Sequence, residues 1–200
     1  MLPHLLAGLV TGLGLIVAIG AQNAYVLRQG LARDHVGLVV AICAISDVVL
    51  IVAGTAGMGA LIADRPALLT AMRWLGAAYL AWFGFKSLRA ARHAGALRDQ
   101  AAPAASPAAI VTTTLALTWL NPHVYLDTLL MLGNLANQHG ATGRWGFAAG
   151  AGLASVAWFS GLGFGASALA KPLARPRTWQ ILDTVIGITM LTLAVVLLAA

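Results

Sequence analysis

Residues 36–62 read VGLVVAICAISDVVLIVAGTAGMGALI, an apolar run interrupted by one charge, Asp47. A helix needs about 20 apolar residues to cross a hydrocarbon core of about 30 Å, so this stretch is long enough to span a bilayer. Five further runs meet the same requirement: Leu5–Leu27, Leu68–Leu88, Ala109–Gly133, Trp145–Ala170 and Thr178–Ala199. Six crossings in 200 residues leave almost no room for a soluble domain. Composition agrees, with 60% hydrophobic and 9% charged residues and a mean hydropathy of +0.86, where a soluble domain carries about 25% charged residues. The expected fold is an all-α integral membrane protein.

The 12 Lys and Arg residues outnumber 6 acidic ones, all Asp, for a net charge of +6. A nucleic-acid partner is not expected, because the basic residues stand in short groups between apolar runs and not along one face. They read as orientation signals. Alternate loops hold nine of them, against three at Arg65, Arg73 and Arg144, which predicts the nine in the cytoplasm and both termini outside. Nothing positively charged except the amino terminus precedes the first apolar core, so that run is expected to be retained and not cleaved as a signal peptide. Cys43 is the only cysteine; it can form no internal disulfide and suits a packing role.

Residues 91–108 carry Arg92, Arg98, Asp99, Pro103 and Pro107 among many alanines and read as a cytoplasmic linker. They divide the chain into a first three-helix repeat, 1–90, and a second, 109–200. An odd number of crossings per half sets the halves in opposite orientations, an inverted repeat.

The first helix of each half is broken. Gly20 weakens one just before Gln22 and Asn23, and Asn23 can cap the next helix. Pro122 interrupts the other, with Asn121 as its N-cap and His123 after it. Matching interruptions in inverted repeats are the best sequence pointer to a transport site, since amide groups exposed at a half-helix start attract an anion such as a carboxylate. A packing kink explains either break alone, but not their correspondence.

Asp47 and Asp127 fall well inside the second and fourth spans. A charged residue at the centre of a membrane helix costs about 2.5–3.5 kcal/mol, and neither span holds a basic residue at that depth. A proton or a cationic ligand then becomes the economical partner. Asp183 lies close to Arg175 and Arg177, so an ion pair there competes with a transport role. Ser46 either bonds within its own helix, the preferred reading, or assists Asp47. His123 and Asp127 share a helix face at i and i+4, but two ligands do not make a metal site and none is expected.

Small-residue spacings at Gly8 and Gly12, Gly146 and Gly150, and Gly161 and Gly165 permit close helix contact. Internal packing is favoured over dimer formation, and a homo-oligomer stays open. Trp74, Trp145 and Trp179 suit interfacial anchoring, whereas Trp119 and Trp158 lie deeper.

The strings Gly20-Ala21-Gln22-Asn23-Ala24-Tyr25-Val26-Leu27-Arg28-Gln29-Gly30, Ser46-Asp47 and Leu120-Asn121-Pro122-His123-Val124-Tyr125-Leu126-Asp127-Thr128 resemble the lysine exporter (LysE) family, particularly its lysine and arginine exporter branch. The resemblance covers essentially the whole chain. It implies a multi-pass exporter of basic L-amino acids in a bacterial inner membrane, with Asp47 and Asp127 as essential carboxylates. The stretch from His123 to Thr128, which includes Tyr125, carries much of the substrate assignment, because neutral amino-acid branches differ after the Asn-Pro pair.

Residues and resemblance together suggest that Asp47 and Asp127 alternately hold protons and meet the substrate's cation. Gln22, Asn23 and Asn121 are expected to take its α-amino and α-carboxylate groups. No cofactor is called for. Export of a neutral amino acid or of a small or metal cation is the alternative. An intramembrane aspartyl protease is the rival of another class, disfavoured because neither Asp has a Gly-x-Gly-Asp context.

Overall fold

The computed structural model describes residues 1–17, 20–58, 66–93, 106–121, 124–171 and 176–199. Among them every regular element is helical: α1 (Leu2–Ile16), α2 (Ala21–Ala32), α3 (Val36–Thr55), α4 (Pro66–His93), α5 (Pro107–Trp119), a π-helical segment (Tyr125–Leu132), α6 (Gly133–Asn137), α7 (Gly140–Ala168) and α8 (Pro176–Ala199). Pro66, Pro107 and Pro176 each stand at the first position of a helix, where a missing amide hydrogen costs nothing. Before α5, Ser106 Oγ also accepts from the Ala109 amide at 3.2 Å.

Three helices are long and apolar enough to cross a membrane: α3, α7 and the Arg177–Ala199 part of α8. The pair α1 and α2, whose axes meet at 82°, makes a fourth span if taken as one broken crossing. The two other expected spans fall on α4 and on α5 with the π-helical segment. α4 has the length, at 28 residues, but carries Arg73, Lys86, Arg89 and Arg92; α5 alone has 13. Arg73, counted in a loop from the sequence, lies within α4, where its Nε and Nη2 donate to the Leu197 and Leu198 carbonyls at 2.7 and 3.0 Å. It thereby caps the orphaned end of α8. Residues 94–105 of the expected linker lie outside the described residues.

Small residues decide which helices meet. α1 packs along α7 and α4 along α8, while α3 lies against both α7 and the π-helical segment. A Cβ on Gly8 would strike the Phe147 carbonyl, and one on Gly150 the Leu5 carbonyl, so α1 and α7 approach at backbone distance. Gly54 of α3 and Gly133 at the end of the π-helical segment make the corresponding approach. Gly84 and Gly187 face each other reciprocally, each with an added Cβ 3.0 Å from the other's carbonyl oxygen. Gly161 and Gly165 depart from the expectation of close contact: nothing among the described residues comes within 4 Å of a Cβ there. Cys43 is fully buried in the core, beside Tyr25, Val39 and Phe159, in keeping with a packing role.

Candidate functional site

The first break is built by its own polar residue. Gly20 takes an extended backbone, φ −127° and ψ 174°, ahead of α2 and offers no side-chain cap. Asn23, expected to cap the start of α2, does not. Its Nδ2 instead donates at 2.7 Å to the carbonyl of Ile16, the last residue of α1, and so satisfies one of the acceptors that the break leaves open. Its Oδ1 accepts from Trp158 Nε1 of α7 at 3.1 Å. One side chain thus ties together both half-helices and a third helix.

The second break follows α5 at Leu120. Helical backbone resumes by Val124, whose amide donates to the Asn121 carbonyl at 3.1 Å. Pro122 and His123 lie outside the described residues. Beyond the break the chain runs as a π-helix for eight residues, with Asp127 in its first turn. Wide turns of this kind are rare and concentrate at functional sites.

Both breaks border one cavity of about 280 Å³. Gly20, Gln22, Asn23, Asp47, Asn121 and Asp127 all line it, together with Thr128 and an apolar wall of Leu15, Ile16, Leu80, Phe159, Leu193 and Val196. Six residues singled out in the sequence, spread over three helical regions, therefore converge on one space. Ser46 and Tyr125 do not line it. Ser46 Oγ accepts from Trp119 Nε1 at 3.1 Å, a bond to another helix where a bond within its own was preferred. The Tyr125 hydroxyl donates to the Trp119 carbonyl at 2.9 Å. Between them they hold the end of α5 in front of its break.

The two cavity carboxylates differ. Asp47 is buried, and its Oδ2 accepts from Ser155 Oγ of α7 at 2.9 Å. Asp127, expected to be buried, is exposed and faces the same space. Gln22 lies close to the Asp47 carboxyl, yet its Nε2 is buried without a partner at hydrogen-bond geometry among the described residues. That amide leaves a donor beside the cavity, where a ligand's acceptor would satisfy it.

Asp183 is also buried, and it pairs with Arg28 of α2, Nε to Oδ1 at 2.9 Å; Arg175, one of the two neighbours suggested by the sequence, lies outside the described residues. Sequence reasoning gives Ser155 no role, reads Arg28 only as an orientation signal and Trp158 only as a deep aromatic, and includes Thr128 only within the substrate-assigning stretch. Thr128 stood at the end of a quoted motif. Ser155 sits in a Gly/Ala-rich helix with no local signal.

The family model for LysE type translocators matches residues 13–200. The chain belongs to the LysE family. Among curated relatives, the lysine exporter LysE of Corynebacterium diphtheriae is 41% identical, over 93% of this chain and 94% of its own length. The putative amino-acid transporter YggA of Aeromonas salmonicida is 44% identical, over 97% and 95%. The arginine exporter protein ArgO of an Enterobacter species is 39% identical, over 95% and 90%. No solved structure matches the chain. This LysE-family member is an integral membrane transporter and not an enzyme, which removes the protease reading.

Proposed function

We propose that this chain is a secondary-active exporter of basic L-amino acids, arginine and/or lysine, driven by proton antiport across a bacterial inner membrane. The observation that carries the reading is the convergence of Asp47, Asp127 and both helix breaks on one cavity. Relatives named as lysine and arginine exporters support the substrate class.

The cavity offers each part of such a substrate a fitting partner. The start of α2, which has no side-chain cap, and the Gln22 Nε2 suit its α-carboxylate. Asn23 and Asn121 supply further polar contacts, and the wall of Leu80, Phe159 and Leu193 suits the aliphatic stem. Asp47 and Asp127 then take the terminal ammonium or guanidinium, or a proton when the site is empty of cation. His123 and Tyr125 belong to the stretch that sets the substrate class, Tyr125 by bracing the α5 break.

Exporting one positive charge against an inside-negative potential costs about 2.3 kcal/mol per 100 mV. One proton entering in exchange cancels that charge, leaving the pH gradient as the drive.

The architecture belongs to the same proposal: six crossings in two inverted repeats, 1–90 and 109–200, joined by a cytoplasmic linker, with both termini outside. The pattern of helix pairs supports it. If α1–α2, α3 and α4 correspond to α5 with its π-helical continuation, α7 and α8, then a pseudo-two-fold axis exchanges the α1–α7 contact with that of α3 and α5, and the α2–α7 contact with that of α3 and the π-helical segment. It maps the α3–α7 and α4–α8 pairs onto themselves. The reciprocal meeting of Gly84 and Gly187 is what such an axis would require.

Counterflow in proteoliposomes with labelled arginine, lysine and threonine under an imposed pH gradient tests the function. Exchange of arginine or lysine that follows the pH gradient is expected. Threonine transport without basic amino-acid transport would move the protein to a neutral-substrate class.

A further inference from the structure

We propose that the Arg28–Asp183 ion pair is the gate that closes the transport route at the α2–α8 end, opposite the side on which the cavity now lies. The inference rests on the inverted-repeat architecture proposed above. Arg28 stands five residues beyond cavity-lining Asn23 on α2, and Asp183 ten residues before cavity-lining Leu193 on α8. At 1.5 Å per helical residue, the pair is displaced from the cavity by about 8 Å along one wall and about 15 Å along the other. It joins the two walls there, through a carboxylate with only 6% of its side chain exposed. A second tie lies further along, where Arg33 Nε donates to the Ser167 carbonyl of α7 at 2.9 Å.

The repeat shows what this pair replaces. Gly84 and Gly187 meet across the pseudo-axis, and four residues before each stand Leu80 and Asp183. The counterpart of Arg28 is Asp127, because the one-residue insertion that aligns Leu27 with Leu126 lies before it. Leu80, Asp127 and Thr128 all line the cavity. The same structural position therefore borders the cavity in one half and joins α2 to α8 by an ion pair in the other. Alternating access in an inverted repeat exchanges the conformations of the halves about a fixed site. The state that opens the α2–α8 end must then part Arg28 from Asp183, and closing it again restores the pair.

Accessibility of a cavity thiol tests this whichever substrate is carried. In a Cys43→Ala background, Thr128→Cys is labelled with a membrane-impermeant maleimide in vesicles of each orientation. Labelling from the face that carries Arg28 is expected to be slow. Arg28→Gln or Asp183→Asn should raise that rate about tenfold, equivalent to about 1.4 kcal/mol in the balance of the two states. The charge swap Arg28→Asp with Asp183→Arg should return it toward the parent value, which a merely disordered variant would not do. Unchanged labelling in both neutralised variants, or a swap that labels as fast as they do, overturns the proposal. If arginine and lysine fail as substrates but labelling changes as stated, the substrate assignment falls and the gate stands.

Discussion

Ser155 Oγ donates to Asp47 Oδ2 at 2.9 Å, a bond between α7 and α3 with both side chains buried. It supplies the Asp47 carboxylate with a partner from another helix and fixes which oxygen turns away from α7. A hydrogen bond to a charged group contributes about 1.5–3 kcal/mol. Ser155→Ala should accordingly lower the export rate about tenfold or more while the protein reaches the membrane in normal amounts, measured as initial efflux per inserted molecule. Unaltered efflux would mean that the bond has no part in positioning Asp47.

Asn23 serves as donor to Ile16 and acceptor from Trp158 at once, which an ionised carboxylate of the same size cannot do. Asn23→Asp keeps the size but cannot donate to the Ile16 carbonyl, so it should impair transport as severely as Asn23→Ala. A stranded buried acceptor costs about 1–3 kcal/mol. Trp158→Phe removes one of the two bonds and should give a milder loss. Substrate-concentration curves for the three variants check the order.

Packing between α1 and α7 predicts a contrast among glycines. Gly8→Ala drives a methyl into the Phe147 carbonyl and should destabilise the protein by about 1–3 kcal/mol. Gly14 has nothing within 4 Å of an added Cβ among the described residues, and Gly14→Ala should be neutral or gain up to about 1 kcal/mol of helix propensity. Thermal unfolding in detergent, followed by size-exclusion profile, separates the two.

Where the sequence is legible, the property read is local. Hydropathy marks α3, α7 and α8 because a lipid-facing helix needs apolar residues throughout its length, and Gly20 and Asn121 mark the breaks because backbone preference is local too. The partners are not legible. Asp183 has two arginines within eight residues, but its ion pair is with Arg28, 155 positions away. Ser46 suggests a partner on its own helix and instead meets Trp119. Asn23 has the position of a cap for α2, yet its side chain closes the end of α1. The π-helical geometry around Asp127 leaves no trace either, since the closeness of Gly54 to Leu129 and Gly133 depends on a helix from the other half of the chain.

The most direct measurement of the central claim is proton-coupled efflux of labelled arginine and lysine from proteoliposomes holding Asp47→Asn or Asp127→Asn. Each substitution keeps the shape and removes the charge. Efflux is predicted to collapse in both variants, with insertion unchanged; normal arginine or lysine efflux from both would contradict the account.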